Sequence, residues 1–471
     1  MGKPKLFSLL KALNREELVL FQKHLRDTRG KDSIVFQVFE YLKRFYPDFT
    51  DEKKLDIDYA SQKIFRSPSV SEAGKRTNLQ NSISDLYLIL KKFITLEKAA
   101  NDDFINRLLW IEALRDRGFK KEFAKEAASL YKDTVSIKER SSTNAYIPYM
   151  VATHTQFEQL CFNTRKPDIE GMHNCIEELK IYGEIVYLKM SSTLATAQRI
   201  RPEKSSPESE ATEPIPIKTL PQAGLLLLEI YRDVFQLIST EEQSIYDRVE
   251  RNLSEHLKDI HRDELSPIFT HLHNFLAHKL RTGGSESVWA EKLHQFHKFT
   301  LQQGLYDKKG ALSAAQFLNI ANVASTLKHF DWVNTFIHKY GRQFEENTVA
   351  LANASVLFEN GEFDKVLDLI HRTEFKLPFD QYRSKILVLR TYMETRFTYS
   401  VIIDYCLAFE NVLSRAKPKT EAVQAILEFV RICKMILLMK TPAHVIRGRI
   451  RKKNNIYLRE WLLKQINRYN I

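Results

Sequence analysis

A phenylalanine returns with its surroundings at Phe330, Phe363 and Phe397, spaced 33 and 34 residues apart. Nine residues before each stands a small or medium apolar residue (Ala321, Ala354, Val388), and three residues after it one that packs tightly (Val333, Val366, Ser400). A period of about 34 residues is that of a helix hairpin, which cannot bury its apolar faces alone and must stack on its neighbours. The spacing predicts a tetratricopeptide-like α-solenoid, consecutive hairpins whose inner helices line a concave groove. Fourteen glycines and fourteen prolines in 471 residues, roughly 3% each against about 7% and 5% in ordinary chains, leave few of the breakers that punctuate sheets. The fold class read from the chain is all-α.

Residues 1–100 read as an N-terminal helical domain. Leu6, Leu9, Leu10 and Leu13 share one face, and Asn14 with Glu17 forms a capping box that opens a helix carrying Leu18, Phe21 and Leu25 inward. After Ser67-Pro68 a longer helix sets Ile83, Leu86, Leu90 and Phe93 at helical spacing. Residues 101–200 read as hairpins followed by two long helices. Residues 201–221 hold five prolines among Ser and Glu, the composition of a linker or exposed loop. Residues 222–440 are the predicted repeat region. Residues 441–471 are expected to be a basic amphipathic capping helix, with Tyr457, Trp461, Leu462, Ile466 and Tyr469 on one stripe.

The formal charge is +12, and from Lys440 onward nine cations stand against Glu460 alone, so the tail carries +8 of it. A near-neutral body with a basic tail argues against a nucleic-acid surface over the whole molecule. The four cysteines are far apart, which indicates neither a disulfide framework nor a zinc site and predicts a cytoplasmic protein. The first residues lack the apolar run of a secretory signal, and no segment has the roughly 20 apolar residues of a membrane span.

Leu6-Phe7-Ser8-Leu9-Leu10-Lys11 with Glu17-Leu18, the stretch from Phe39 through Phe49, and Ser84-Asp85-Leu86-Tyr87 resemble a family of uncharacterised bacterial all-helical proteins with tetratricopeptide-like repeats. Lys328 to Val333 and Arg459 to Lys464 resemble it too. The resemblance implies a fold and no chemistry. Some tetratricopeptide proteins grip a partner's C-terminal carboxylate with Lys and Asn side chains. Here Asn322 matches the asparagine of that pattern, but Leu318 stands where the lysine belongs. Pro378 matches the proline that closes such repeats, and Phe330 has no counterpart to it.

No nucleophile motif, dinucleotide fingerprint or phosphate loop is present; around Gly74-Lys75, Ser69 replaces the leading glycine and Arg76 separates Lys75 from Thr77. The chain is therefore read as non-enzymatic and without a cofactor. Glu291 with His294 and Glu170 with His173 have a di-iron ligand spacing, which arises by chance in so His-rich a stretch, and no metal site is assigned. The expected function is a scaffold that binds a protein partner in the groove, lined by Asn319, Asn322, Ser355, Glu359, Tyr382, Lys385 and Tyr392. The alternative is a nucleic-acid-binding regulator. Its phosphate contacts would be Lys75 and Arg76, at a helix start, or the tail cations Arg447, Arg449, Arg451, Lys452 and Lys453.

Overall fold

A computed structural model describes residues 4–65, 71–137, 141–162, 168–200, 222–282, 286–306, 312–417, 420–452 and 456–469. Every regular element among them is a helix, and none is long and apolar enough to cross a membrane. The expected linker at 201–221 lies outside the described residues. Two compact units emerge: Met1–Thr134 with Thr153–Arg165, and Val135–Ala152 with Lys166–Ile471.

The first unit contains α1 (Pro4–Ala12), α2 (Arg15–Arg29), α3 (Ile34–Lys43), α4 (Ile57–Ile64), α5 (Glu72–Ala100), α6 (Asp103–Asp116) and most of α7 (Lys120–Ser136), while α8 (Ser142–Phe162) is divided between the units. The capping box forms as read: Asn14 Oδ1 accepts the Glu17 amide at 2.9 Å, and Glu17 Oε2 accepts the Asn14 amide at 2.7 Å. The apolar face this orients carries Phe21, whose ring meets Phe39 edge-on and Phe93 at a tilt, both at 5.2 Å between centroids. Ile83, Leu86, Leu90 and Phe93 of α5 close the same core.

The second unit runs through α9 (Ile169–Ile200), α10 (Gln222–Thr240), α11 (Gln243–His256), α12 (Arg262–Thr282) and α13 (Glu286–Gln302). It continues through α14 (Ala314–Thr326), α15 (Phe330–Tyr340), α16 (Glu346–Glu359), α17 (Phe363–His371), α18 (Pro378–Glu394), α19 (Tyr399–Arg415), α20 (Glu421–Leu438), α21 (Ala443–Lys452) and α22 (Arg459–Arg468). Within it α14 packs on α16 and α16 on α18, so the first helices of three successive hairpins lie side by side.

The three hairpins turn the same way. A residue with positive φ (Lys328 at 61°, Gly361 at 81°, Arg396 at 51°) follows α14, α16 and α18. The next amide reaches back to a carbonyl of the last helical turn: His329 to Ala324 at 3.0 Å, Glu362 to Leu357 at 2.9 Å, Phe397 to Tyr392 at 3.0 Å. This is the Schellman arrangement, which satisfies carbonyls that a helix end leaves open. Glycine occupies the left-handed position in only one of the three, so the repeat of this turn is not visible in the residue types.

The phenylalanine register needs correcting in this light. Ala321, Ala354, Val333 and Val366 are at most 0% exposed and form the inter-helix contacts. Phe330 and Phe363 are only half-buried, as the first residues of α15 and α17. Phe397 precedes α19 and is 46% exposed, because the third hairpin is longer: Gly361 follows Lys328 by 33 residues, Arg396 follows Gly361 by 35. The C-terminal region holds α21 and α22, the latter within the apolar stripe from Tyr457 to Tyr469. In α22, Trp461, Leu462 and Ile466 are buried against α20, as the apolar stripe requires.

Candidate functional site

The neighbouring faces of α14, α16 and α18 enclose a pocket of about 110 Å³. Leu318 and Asn322 come from α14, Leu351, Ser355 and Glu359 from α16, and Arg383, Ile386 and Arg390 from α18, with Tyr457 and Leu458 at one side. These positions recur at three to four residues along each helix, the spacing of one helical face. Counted from the left-handed turn residues Lys328, Gly361 and Arg396, Asn322, Ser355 and Arg390 are equivalent, six residues before each, and Leu318, Leu351 and Ile386 are equivalent at ten. The pocket therefore has an apolar floor and a polar row built by repetition.

Arg390 dominates that row. Its Nη2 donates to Glu359 Oε1 at 3.0 Å, its guanidinium lies 4.0 Å from the Phe358 ring centroid, and the Trp461 ring stands 5.5 Å away. Pairing and stacking hold the guanidinium rigid. Ser355 donates to the Leu351 carbonyl at 3.0 Å. Of the residues that line the pocket, two carry a buried polar atom with no hydrogen-bond partner among the described residues: Asn322 Oδ1, an acceptor, and Arg390 Nε, a donor. Arg383 lies 4.0 Å from Asp380, whose carboxyl burial pushes up although Arg383 opposes the shift.

Of the expected groove residues, Asn322, Ser355 and Glu359 line this pocket, and Asn319 is exposed on α14 without lining it. Tyr382, Lys385 and Tyr392 lie off it. Tyr382 is 7% exposed, with its ring against Phe379 and Phe409 at 5.8 and 6.4 Å. The Lys385 ammonium sits 5.9 Å from the Tyr405 ring, and Tyr392 stacks on Phe397 at 5.1 Å. The cause is the longer third hairpin: a register carried to Phe397 selects Leu389, which is 0% exposed, where the turn register selects Arg390. One residue is about 100° around a helix, enough to exchange a core position for a surface one. Arg383 and Arg390 were missed for that reason.

The expected phosphate contacts are mostly engaged. Lys75 pairs with Glu72 at 3.2 Å and Arg76 with Asp58 at 3.5 Å. Arg447 donates to Asn467 at 2.7 Å, and Arg449 to the buried Glu428 at 2.6 Å, which raises the guanidinium pKa further. Arg451 and Lys452 are exposed at the end of α21, and Lys453 lies outside the described residues. The α22 helix is tied at Glu394, which accepts from Trp461 Nε1 at 2.8 Å and Gln465 Nε2 at 2.7 Å and pairs with Arg468.

His271 of α12 and His294 and His297 of α13 are buried, while His273 and His278 are partly exposed. His294 stacks on His329 at 4.8 Å and meets Trp332 edge-on at 4.6 Å, while His297 stacks on His273 at 5.4 Å. Glu291 turns to His329 at 3.1 Å, and among the described residues no three of His, Cys, Asp and Glu converge as a metal site would require. Burial lowers the pKa of His271 and His294 to about 4 and that of His297 well below its ordinary value.

A buried hub also escaped the sequence reading. Glu264, 2% exposed at the start of α12, accepts from Ser142 N at 2.9 Å, Ser142 Oγ at 2.6 Å, Lys189 Nζ at 2.8 Å and Tyr231 OH at 2.6 Å. Burial alone would raise its carboxyl, but these bonds outweigh that and hold it below the ordinary carboxylate range.

Comparison with family models, with curated proteins and with solved structures returns no match.

Proposed function

We propose that the chain is a non-enzymatic, cytoplasmic scaffold whose consecutive hairpins form a tetratricopeptide-like solenoid, and that it binds an extended peptide segment of a protein partner over Asn322, Ser355 and Arg390. The observation that carries this reading is the pair of orphaned atoms, Asn322 Oδ1 and Arg390 Nε. A buried acceptor and a buried donor each lose free energy until they are paired, on the order of 1–3 kcal/mol apiece. A peptide amide offers the N–H and the C=O that match them. The rigid Arg390–Glu359–Phe358 group supports recognition without a large ordering cost. Kinship with the uncharacterised bacterial helical proteins that the sequence resembles belongs to the same proposal.

The nucleic-acid reading is weaker, because Lys75, Arg76 and Arg449 already face carboxylates and the exposed cations at the end of α21 are few. A photo-reactive residue at Thr326, on the pocket rim, tests the preferred reading against one at Asp368 on α17. Partner cross-linking from Thr326 and not from Asp368 is expected; equal or reversed yields place the interface elsewhere.

A further inference from the structure

Helix α9 exposes a second surface, remote in character from the polar pocket. Ile169, Ile176, Leu179, Tyr187, Met190 and Leu194 are 64, 49, 46, 43, 58 and 54% exposed. With Met172, Gly183 and Ala197 they form one stripe whose successive spacings are 3, 4, 3, 4, 4, 3, 4 and 3 residues. That is the average of 3.5 residues that keeps a helix seam facing a partner helix. The stripe runs about 42 Å at 1.5 Å per residue. The opposite face, with Ile181, Ile185 and Leu188, is buried against α10 and α12 and needs no further partner.

The spacing is palindromic about Gly183, and this selects the occupant. A two-fold axis at Gly183 lays a second copy of α9 antiparallel on the first and brings every stripe position opposite another stripe position: Met172 opposite Leu194, Ile176 opposite Met190, Leu179 opposite Tyr187. Self-complementarity of this kind is what a two-fold interface demands. Gly183 sits at the centre, where a Cβ would meet nothing within 4 Å, so two helices approach there without a side chain between them.

Area and charge agree. The exposed apolar side chains offer on the order of 600 Å² per copy, about 1,200 Å² for the pair, above the ~1,000 Å² that a specific interface needs and large for a patch left to solvent. Most of the charges bordering the stripe are paired inside the chain, Glu177 with Lys180 at 2.8 Å, Glu184 with Arg232 at 2.6 Å and Lys189 with Glu264 at 2.8 Å. We infer that α9 is the interface of an antiparallel homodimer centred on Gly183.

Sedimentation velocity on the full chain, from about 1 to 100 µM, tests this. The wild type is expected to reach twice the 55.2 kDa chain mass, and Ile176→Glu with Met190→Glu to remain at the chain mass with unchanged helix content. Because that double variant also changes the surface, oxidative cross-linking supplies an independent reading in a Cys175→Ser parent. Gly183→Cys should form a covalent dimer, while Ile169→Cys, far from its own copy, should not. A monomeric wild type, a dimer that survives both glutamates, or equal cross-linking at residues 169 and 183 would overturn the inference.

Discussion

Tyr231 donates its hydroxyl to Glu264 at 2.6 Å in a core where both side chains are almost fully buried, at 0 and 2% exposure. The same carboxylate receives Lys189 and Ser142, so one charge joins α8, α9, α10 and α12. Removing one partner of a buried charge leaves the others unpaired, which costs about 3–5 kcal/mol, whereas losing one neutral donor costs about 1–2 kcal/mol. Glu264→Ala should therefore destabilise the second unit severely and Tyr231→Phe mildly, as measured by urea denaturation.

Acid should weaken the fold in two stages. His271 and His294 have pKa values held near 4 by burial, against about 6.5 in an unfolded chain. The unfolded state then binds more protons than the native one between those values, so stability is flat above pH 6.5 and falls from there toward pH 4. Glu264, whose carboxyl is depressed, adds a second loss as pH falls through the acid range below its ordinary value. Denaturation midpoints measured across pH 8 to 4 (about the span set by these shifts) should be level and then decline, and His271→Asn should reduce the first decline.

The hairpin contacts should obey burial, not the phenylalanine period. Ala354→Leu would overpack a fully buried helix contact and cost about 1–3 kcal/mol, while Phe397→Ala, at an exposed turn, should cost under about 1 kcal/mol. Equal losses in a denaturation series would contradict the turn register.

The C-terminal helix is held by Trp461 and the Glu394 bonds and owes little to its cations. Trp461→Ala should lower stability by about 3–5 kcal/mol. Arg451→Gln with Lys452→Gln should leave it unchanged. RNA and DNA titrations at two salt concentrations should show no steeply salt-sensitive binding in the wild type.

Helices and their caps were legible in the sequence because their causes are local: the Asn14–Glu17 box and the apolar spacing of Ile83, Leu86 and Leu90 need no distant partner. The pocket was half legible. Asn322 and Ser355 follow a 33-residue period that the residues display, but Arg390 follows a turn whose left-handed residue is an arginine, so no glycine marks the longer hairpin. Glu264 was not legible at all, since its partners lie 33, 75 and 122 residues away in the chain. The α9 stripe could have been found by its 3.5-residue spacing, but only exposure tells a seam from a core face.

Asn322→Leu bears most directly on the proposed partner site. It removes a buried acceptor that has no partner, so the free protein should be as stable as the wild type or more stable by about 1 kcal/mol. Affinity for the partner cross-linked from Thr326, measured by isothermal titration, should nevertheless fall by about tenfold or more, which corresponds to roughly 1.4 kcal/mol. An affinity equal to that of the wild type, in a variant of undiminished stability, would contradict the account.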